Sequence, residues 1–505
     1  MKPMRRNIAA NIIGSGWQAL MGLVFVPFYI LFMGVESYGL VGIFTILQAL
    51  SGFLDLGLSA TLTREIARLS VLPGKDQEMR DLVRSMEIIY WSLAGVIGVI
   101  IVGLSPVIAH DWVQTGRLSS GSVEQAIRIM GCSVALQWPA ALYSGGLQGL
   151  QRQVLLNVVV VVVSTLRGAG SLLVLWAISP TVQAFFLWQI VVSLLNSSLL
   201  AHFLWDQLPR TERHAVFRKN LLLGVWRFAA GMSGISILAI ALTQMDKIIL
   251  SKMLSLEAFG YYMLAGVVAA SLGFLTLPVF SAIYPRFTQL VSIEDWQGLK
   301  RLYHRSCQFV SILILPVTVV IALFSYEILL LWTQSEATAG KASTLVSILI
   351  SGTSLNGIMS IPFALQLAYG WTRLTLTTNL AAILLVIPLI ILMTREYGAS
   401  GGASVWLMLN VGYVLLTVHW MHRRLLPGEK WRWYRQDVAL PLLASLAVAG
   451  TGRLVVHAGQ SPAILAVGLA GILFLSAAAA SFAAPASREW ISSRVPALAR
   501  LKGRR

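Results

Sequence analysis

The chain has 505 residues, 57% of them hydrophobic and only 12% charged, with a formal net charge of +17. Ordinary soluble domains carry about 25% charged residues, so the polar surface that a water-soluble body of this length needs is missing. The hydrophobic fraction and the unperiodic prolines exclude a disordered or collagen-like chain. Two cysteines, Cys132 and Cys307, exclude a disulfide scaffold.

Apolar runs long enough to cross a bilayer follow one another along the chain. Fourteen are expected: Asn11–Phe32, Tyr38–Leu62, Met86–Ile108, Val123–Gly146, Val154–Ile178, Val182–Leu204, Leu222–Leu250, Phe259–Ala282, Phe309–Leu331, Ser343–Leu367, Leu374–Met393, Ala399–Trp420, Val438–His457 and Ile464–Phe482. This predicts an all-α integral membrane protein with no room for a soluble domain. No small-x-small site closes the first run, so it is expected to stay as a span. With the N-terminus inside, most of the 38 Lys and Arg fall on cytoplasmic segments. The basic excess is then a topology signal, both termini are cytoplasmic, and a nucleic-acid partner is not expected. The tail Arg488–Arg505 mixes cations with Trp490, Ile491 and Leu498, as an interfacial helix or a frayed basic end would.

A constant offset of 221 residues lays the first six spans on the next six. It matches Arg6 with Arg227, Glu36 with Glu257, Gly39 with Gly260, Arg84 with Arg305, and Arg152 with Arg373. The expected organisation is an N-lobe over 1–210, a repeated C-lobe over 211–425, and two further spans with a basic tail over 426–505. Two six-span halves share one orientation, which places a site between them near the midplane.

Polar residues inside spans are costly and therefore informative. Asn11 and Gln18, Gln48 and Asp55, Asn157 and Arg167, Gln244 and Lys247, and Asn356 lie on polar stripes of spans 1, 2, 5, 7 and 10. Such stripes either glue helices together or line a shared aqueous cavity. Asp55 would bind a proton or Na⁺, or hold a cation such as Arg64 or Arg167. Asp246 and Lys247 either pair locally or serve substrate. Arg227 lines the cavity or snorkels, and Arg453 snorkels or packs. Four intramembrane cations face two carboxylates, and a positive cavity concentrates anions. Arg suits phosphate through its bidentate fork. Prolines 27, 139, 278, 316, 362, 388 and 441 mark expected bends. There is no Walker A motif and no metal-ligand spacing, so neither an enzyme nor a cofactor is expected.

Gly34-x-Glu36-x-Tyr38-Gly39, Leu54-Asp55-Leu56-Gly57-Leu58, Thr63-Arg64-Glu65, Asp246-Lys247, Gly149-x-x-Arg152 and Tyr369-Gly370-x-x-Arg373 resemble the polysaccharide flippases. These belong to the multidrug/oligosaccharidyl-lipid/polysaccharide exporter superfamily. The resemblance implies two six-helix lobes around a cavity that alternates between the faces of a bacterial inner membrane. It implies an undecaprenyl-diphosphate-linked oligosaccharide as substrate, an O-antigen or exopolysaccharide repeat unit. On that basis Arg64, Arg227 and Arg286 would draw in the pyrophosphate and Arg167 and Lys247 would hold it. A proton or Na⁺, at Asp55 or Asp246, would reset the cycle. Membrane lipids and polysaccharide polymerase machinery are the expected partners. The competing expectation is a cation-coupled multidrug antiporter on the same fold.

Overall fold

The computed structural model describes residues 2–55, 57–221 and 242–488. These are helical almost throughout and include no strand, only a bridge between Gln114 and Ser255. Lipid offers no hydrogen bonds, so a spanning backbone must satisfy itself within each helix. Nine helices among the described residues are long and apolar enough to cross a membrane. The chain is a multi-pass, all-α membrane protein.

That count differs from the fourteen expected runs for local reasons. The Lys2–Val24 helix opens with charged residues. The second expected run is cut after Val26–Phe53 by a turn, and Leu58–Leu69 restarts behind left-handed Gly57 (φ 76°). Trp138 and Pro139 divide Ser120–Gln137 from Ala140–Gly149. Expected spans eleven and twelve form one helix, Thr372–Gly412, broken at Gly398 (φ 58°, ψ −139°). Most of Leu222–Leu250 lies outside the described residues.

Several prolines lie at helix breaks as expected: Pro139 between Ser120–Gln137 and Ala140–Gly149, and Pro362 in the first turn after the stop at Met359. Pro27 and Pro441 stand in the first turns of their helices, where no amide donor is lost. Pro278, Pro316 and Pro388 lie within continuous helices. The non-helical dihedrals inside helices belong to Gly34 (φ 81°, ψ 163°) and Gly398, because only glycine enters those regions without a Cβ clash.

Two compact units cover residues 1–260 and 261–505. In the first, Ser120–Gln137 packs on Val182–Gln207 and Asp76–Val107, and Lys2–Val24 packs on Gln153–Thr165. Leu58–Leu69 packs on Ala140–Gly149 across Gly145 and Gly149, where a Cβ would stand 2.7 Å from the Ser59 and Thr63 carbonyl oxygens. In the second unit, Glu336–Ile358 packs on Thr372–Gly412 and Trp296–Leu323. The last two helices, Leu440–Gly452 and Pro462–Ala483, pack on each other and on Trp296–Leu323 around Val319, Phe324, Ala449 and Leu465. Leu31, Val99, Trp176, Val467 and Phe474 are each over 70% exposed, as lipid-facing side chains should be.

Helix stops recur at nearly the offset of the sequence repeat. Gly74 and Glu294 are both left-handed, at φ 74° and 55°. The Arg152 amide bonds back to the Leu147 carbonyl, and the Trp371 amide to that of Gln366.

Candidate functional site

Arg167 lies on the widened turn Leu166–Gly170, between the helices Gln153–Thr165 and Ser171–Ala177. Such π-bulges re-aim a side chain out of the normal helical register. Its Nη2 donates to Gln137 Oε1 at 2.9 Å. Among the described residues no carboxylate stands within salt-bridge distance of it. Its side-chain hydrogen-bond partner among the described residues is a neutral amide, which leaves the guanidinium further donors. Tyr29 donates to the Gly168 carbonyl at 3.3 Å and so ties the turn to Val26–Phe53. Gly168 has no Cβ, which lets the Phe25 ring press against it.

Asn11 and Asn157 meet. The Asn157 amide donates to Asn11 Oδ1 at 2.6 Å and to the Gln153 carbonyl at 2.8 Å. This pair joins Lys2–Val24 to Gln153–Thr165. Gln18 is exposed and Gln48 half-buried.

Asp55 sits in the turn that interrupts the second span. Ser59 Oγ donates to its Oδ2 at 2.8 Å, and the Tyr90 hydroxyl donates to its Oδ1. Tyr90 stacks on Trp138 with centroids 4.6 Å apart, and Trp138 donates to the Ser51 carbonyl at 2.8 Å. The carboxylate is held by hydroxyls.

The other expected cations that are described have surroundings of their own. Arg64 is exposed and lines a cleft of about 400 Å³ with Glu65, Arg68 and Glu78. Arg286 is exposed and donates to Gln289 at 2.8 Å. Lys247 donates to the Thr243 carbonyl at 3.1 Å and to Gln244 Oε1 at 3.3 Å, both on its own helix. Its neighbour Asp246 is half-buried. Arg227 lies outside the described residues. In the second unit, Asn356 donates to Asn410 Oδ1 at 3.0 Å and lines a separate cavity.

Several other charged groups are structural. Arg453 packs as one of its two readings had it, paired with buried Glu327 and lying over Phe324. Asp81, fully buried, pairs with Arg218 at 2.7 Å and accepts from the Val216 amide at 3.0 Å. Glu87 is shared by Arg84, Tyr143 and Trp205. Glu36 accepts from the amides of Gly116, Arg117 and Leu118, pinning the loop before Ser120–Gln137. His304 places one ring nitrogen on Asp437 and the other on Glu429, which also meets Lys300 at 3.2 Å. At Glu429 burial works against ionisation, yet Lys300 and His304 outweigh it and hold the carboxyl below its ordinary 4.5. The Arg84–Glu87 spacing of three was readable as a helix pair. The distant pairs had no local signal. No cluster of metal-ligating side chains occurs among the described residues.

Residues 4–291 match the model of the family described as polysaccharide biosynthesis protein. The chain belongs to that family. A Shigella flexneri protein named for O-antigen transport is 21% identical over 424 residues, covering 83% of this chain and 98% of that one. The solved inward-closed lipid II flippase MurJ superposes with a TM-score of 0.65 at 12% identity, over 94% of this chain and 98% of that one. An inward-facing multidrug-resistance MATE transporter of the MOP superfamily gives 0.61 at 13% identity, over 82% and 94%. The fold is the one those solved membrane transporters and flippases share.

Proposed function

We propose that this family member flips an undecaprenyl-diphosphate-linked oligosaccharide, an O-antigen or exopolysaccharide repeat unit, across the bacterial inner membrane by alternating access. The observation that carries the reading is Arg167. A part-buried guanidinium in a spanning helix, partnered by an amide among the described residues, is an expensive arrangement. It is worth keeping where an anion passes. A pyrophosphate headgroup is such an anion, and the prenyl chain stays in lipid. Arg64 and Arg286, both exposed, together with Arg227 would draw it in at the cytoplasmic face, and Lys247 would hold it with Arg167. Asp55, with hydroxyl partners, is the group proposed to take the coupling proton or Na⁺, with Asp246 as second choice. Both termini are cytoplasmic in this reading. Polymerase machinery would receive the flipped unit.

The test is loss of the gene in its host. Lipid-linked oligosaccharide should accumulate on the cytoplasmic side and surface polysaccharide should fall, with drug tolerance unchanged. Normal surface polysaccharide with raised drug sensitivity would instead favour a cation-coupled drug antiporter.

A further inference from the structure

The second unit contains a cavity of about 390 Å³ between Gly273–Ser292, Glu336–Ile358, Ser360–Ala368 and Thr372–Gly412. Small-ligand sites run from about 300 to 1,000 Å³, so it would hold a small ligand or part of a larger one. Among the described residues its wall carries no Lys, Arg, Asp or Glu. Amides, hydroxyls and aromatic rings take their place.

Part of that hydrogen-bonding capacity is unspent. Ser360 Oγ is buried without a partner. Gln366, 1% exposed, accepts from Thr375 at 3.2 Å, and its amide nitrogen donates to no described residue. Asn379 accepts from the Tyr413 hydroxyl at 3.0 Å, and its amide nitrogen is likewise uncommitted. Phe280 and Phe363 lie nearly parallel, 17° apart in plane, with centroids 6.0 Å apart.

The unmet Ser360 hydroxyl costs about 1–3 kcal/mol, and with the uncommitted amides it suits a ligand that both donates and accepts. Charge narrows the choice. A pyrophosphate would find no cation here, and an organic cation would find no carboxylate. A neutral sugar satisfies the whole wall. Each hydroxyl donates and accepts, as the amides do, and the C–H face of the ring can lie on Phe280 or Phe363.

We propose that this cavity is a sugar-binding subsite taking one or two residues of the lipid-linked oligosaccharide. The proposal rests on the flippase reading and adds a division of labour. Arg167, in the first unit, serves the diphosphate. Ser360, Gln366 and Asn379, in the second, serve the glycan.

The test uses the full-length protein in lipid nanodiscs. The probes are the host's extracted lipid-linked oligosaccharide and the undecaprenyl diphosphate left after its glycan is removed. Wild type should bind the glycosylated lipid more tightly. Asn379→Leu and Ser360→Ala should each weaken that binding about tenfold and leave the sugar-free lipid unaffected. The unchanged sugar-free binding doubles as the folding control, with Gln366→Met in reserve if either variant is not monodisperse. Variants that bind both lipids as wild type does, or lose both equally, overturn the subsite while wild-type binding upholds the flippase reading. Wild type that binds neither lipid overturns both.

Discussion

Arg167 and Arg453 are both arginines inside apolar runs, and the structure separates them by their partners. Arg453 pairs with Glu327, which is 2% exposed. Removing the arginine strands a buried carboxylate. Arg453→Ala should therefore cost about 1–3 kcal/mol, read as a lower Tm in detergent. Arg453→Met with Glu327→Leu should recover most of it, because an apolar replacement of a buried pair is often neutral. That Arg453 packs was readable from its place outside the repeat, but Glu327 as its partner was not, since the two lie far apart in the chain. The same limit applies to Asn11 and Asn157. Each was legible as a polar residue on a helical face, but their bond to one another was not.

At the scale of elements, glycine adds helix breaks to those the sequence led one to expect of proline. Helical periodicity locates apolar runs well, because burial in lipid writes it into every turn. It says little about where a run breaks, since a break at Gly34 or Gly398 needs only a missing Cβ. Gly145 and Gly149 form a small-xxx-small face that admits Leu58–Leu69. Gly149→Val should push those helices apart, at about 1–3 kcal/mol, and lower the yield of monodisperse protein. Gly103→Val, where a Cβ meets open space, should not. The ties around His304 join Trp296–Leu323 to the segment before the last two helices. Glu429, held below its ordinary 4.5, contributes stability at neutral pH. That contribution fades as pH falls through the lowered value. The Tm advantage of wild type over Glu429→Gln should shrink on acidification below 4.5; an advantage that grows there would contradict the assignment.

For the whole molecule, class and family were legible because the bilayer restricts a spanning chain to few solutions. Composition gave the all-α membrane class, and short motifs pointed to the polysaccharide family. The candidate site was legible only as residue types. Arg167 could be picked out by its depth in an apolar run, but its neutral partner Gln137 required the packing of Ser120–Gln137. Asp55 could be picked out as a carboxylate in a span, but not its placement in a turn under Tyr90. The most direct test of the account is transfer of the host's lipid-linked oligosaccharide across proteoliposomes holding the full-length protein, wild type or Arg167→Gln. The account predicts transfer by wild type and a loss of about ten- to a hundredfold in the variant, as expected for losing a charge-assisted contact of about 1.5–3 kcal/mol. Equal transfer by wild type and an equally abundant Arg167→Gln protein would contradict it.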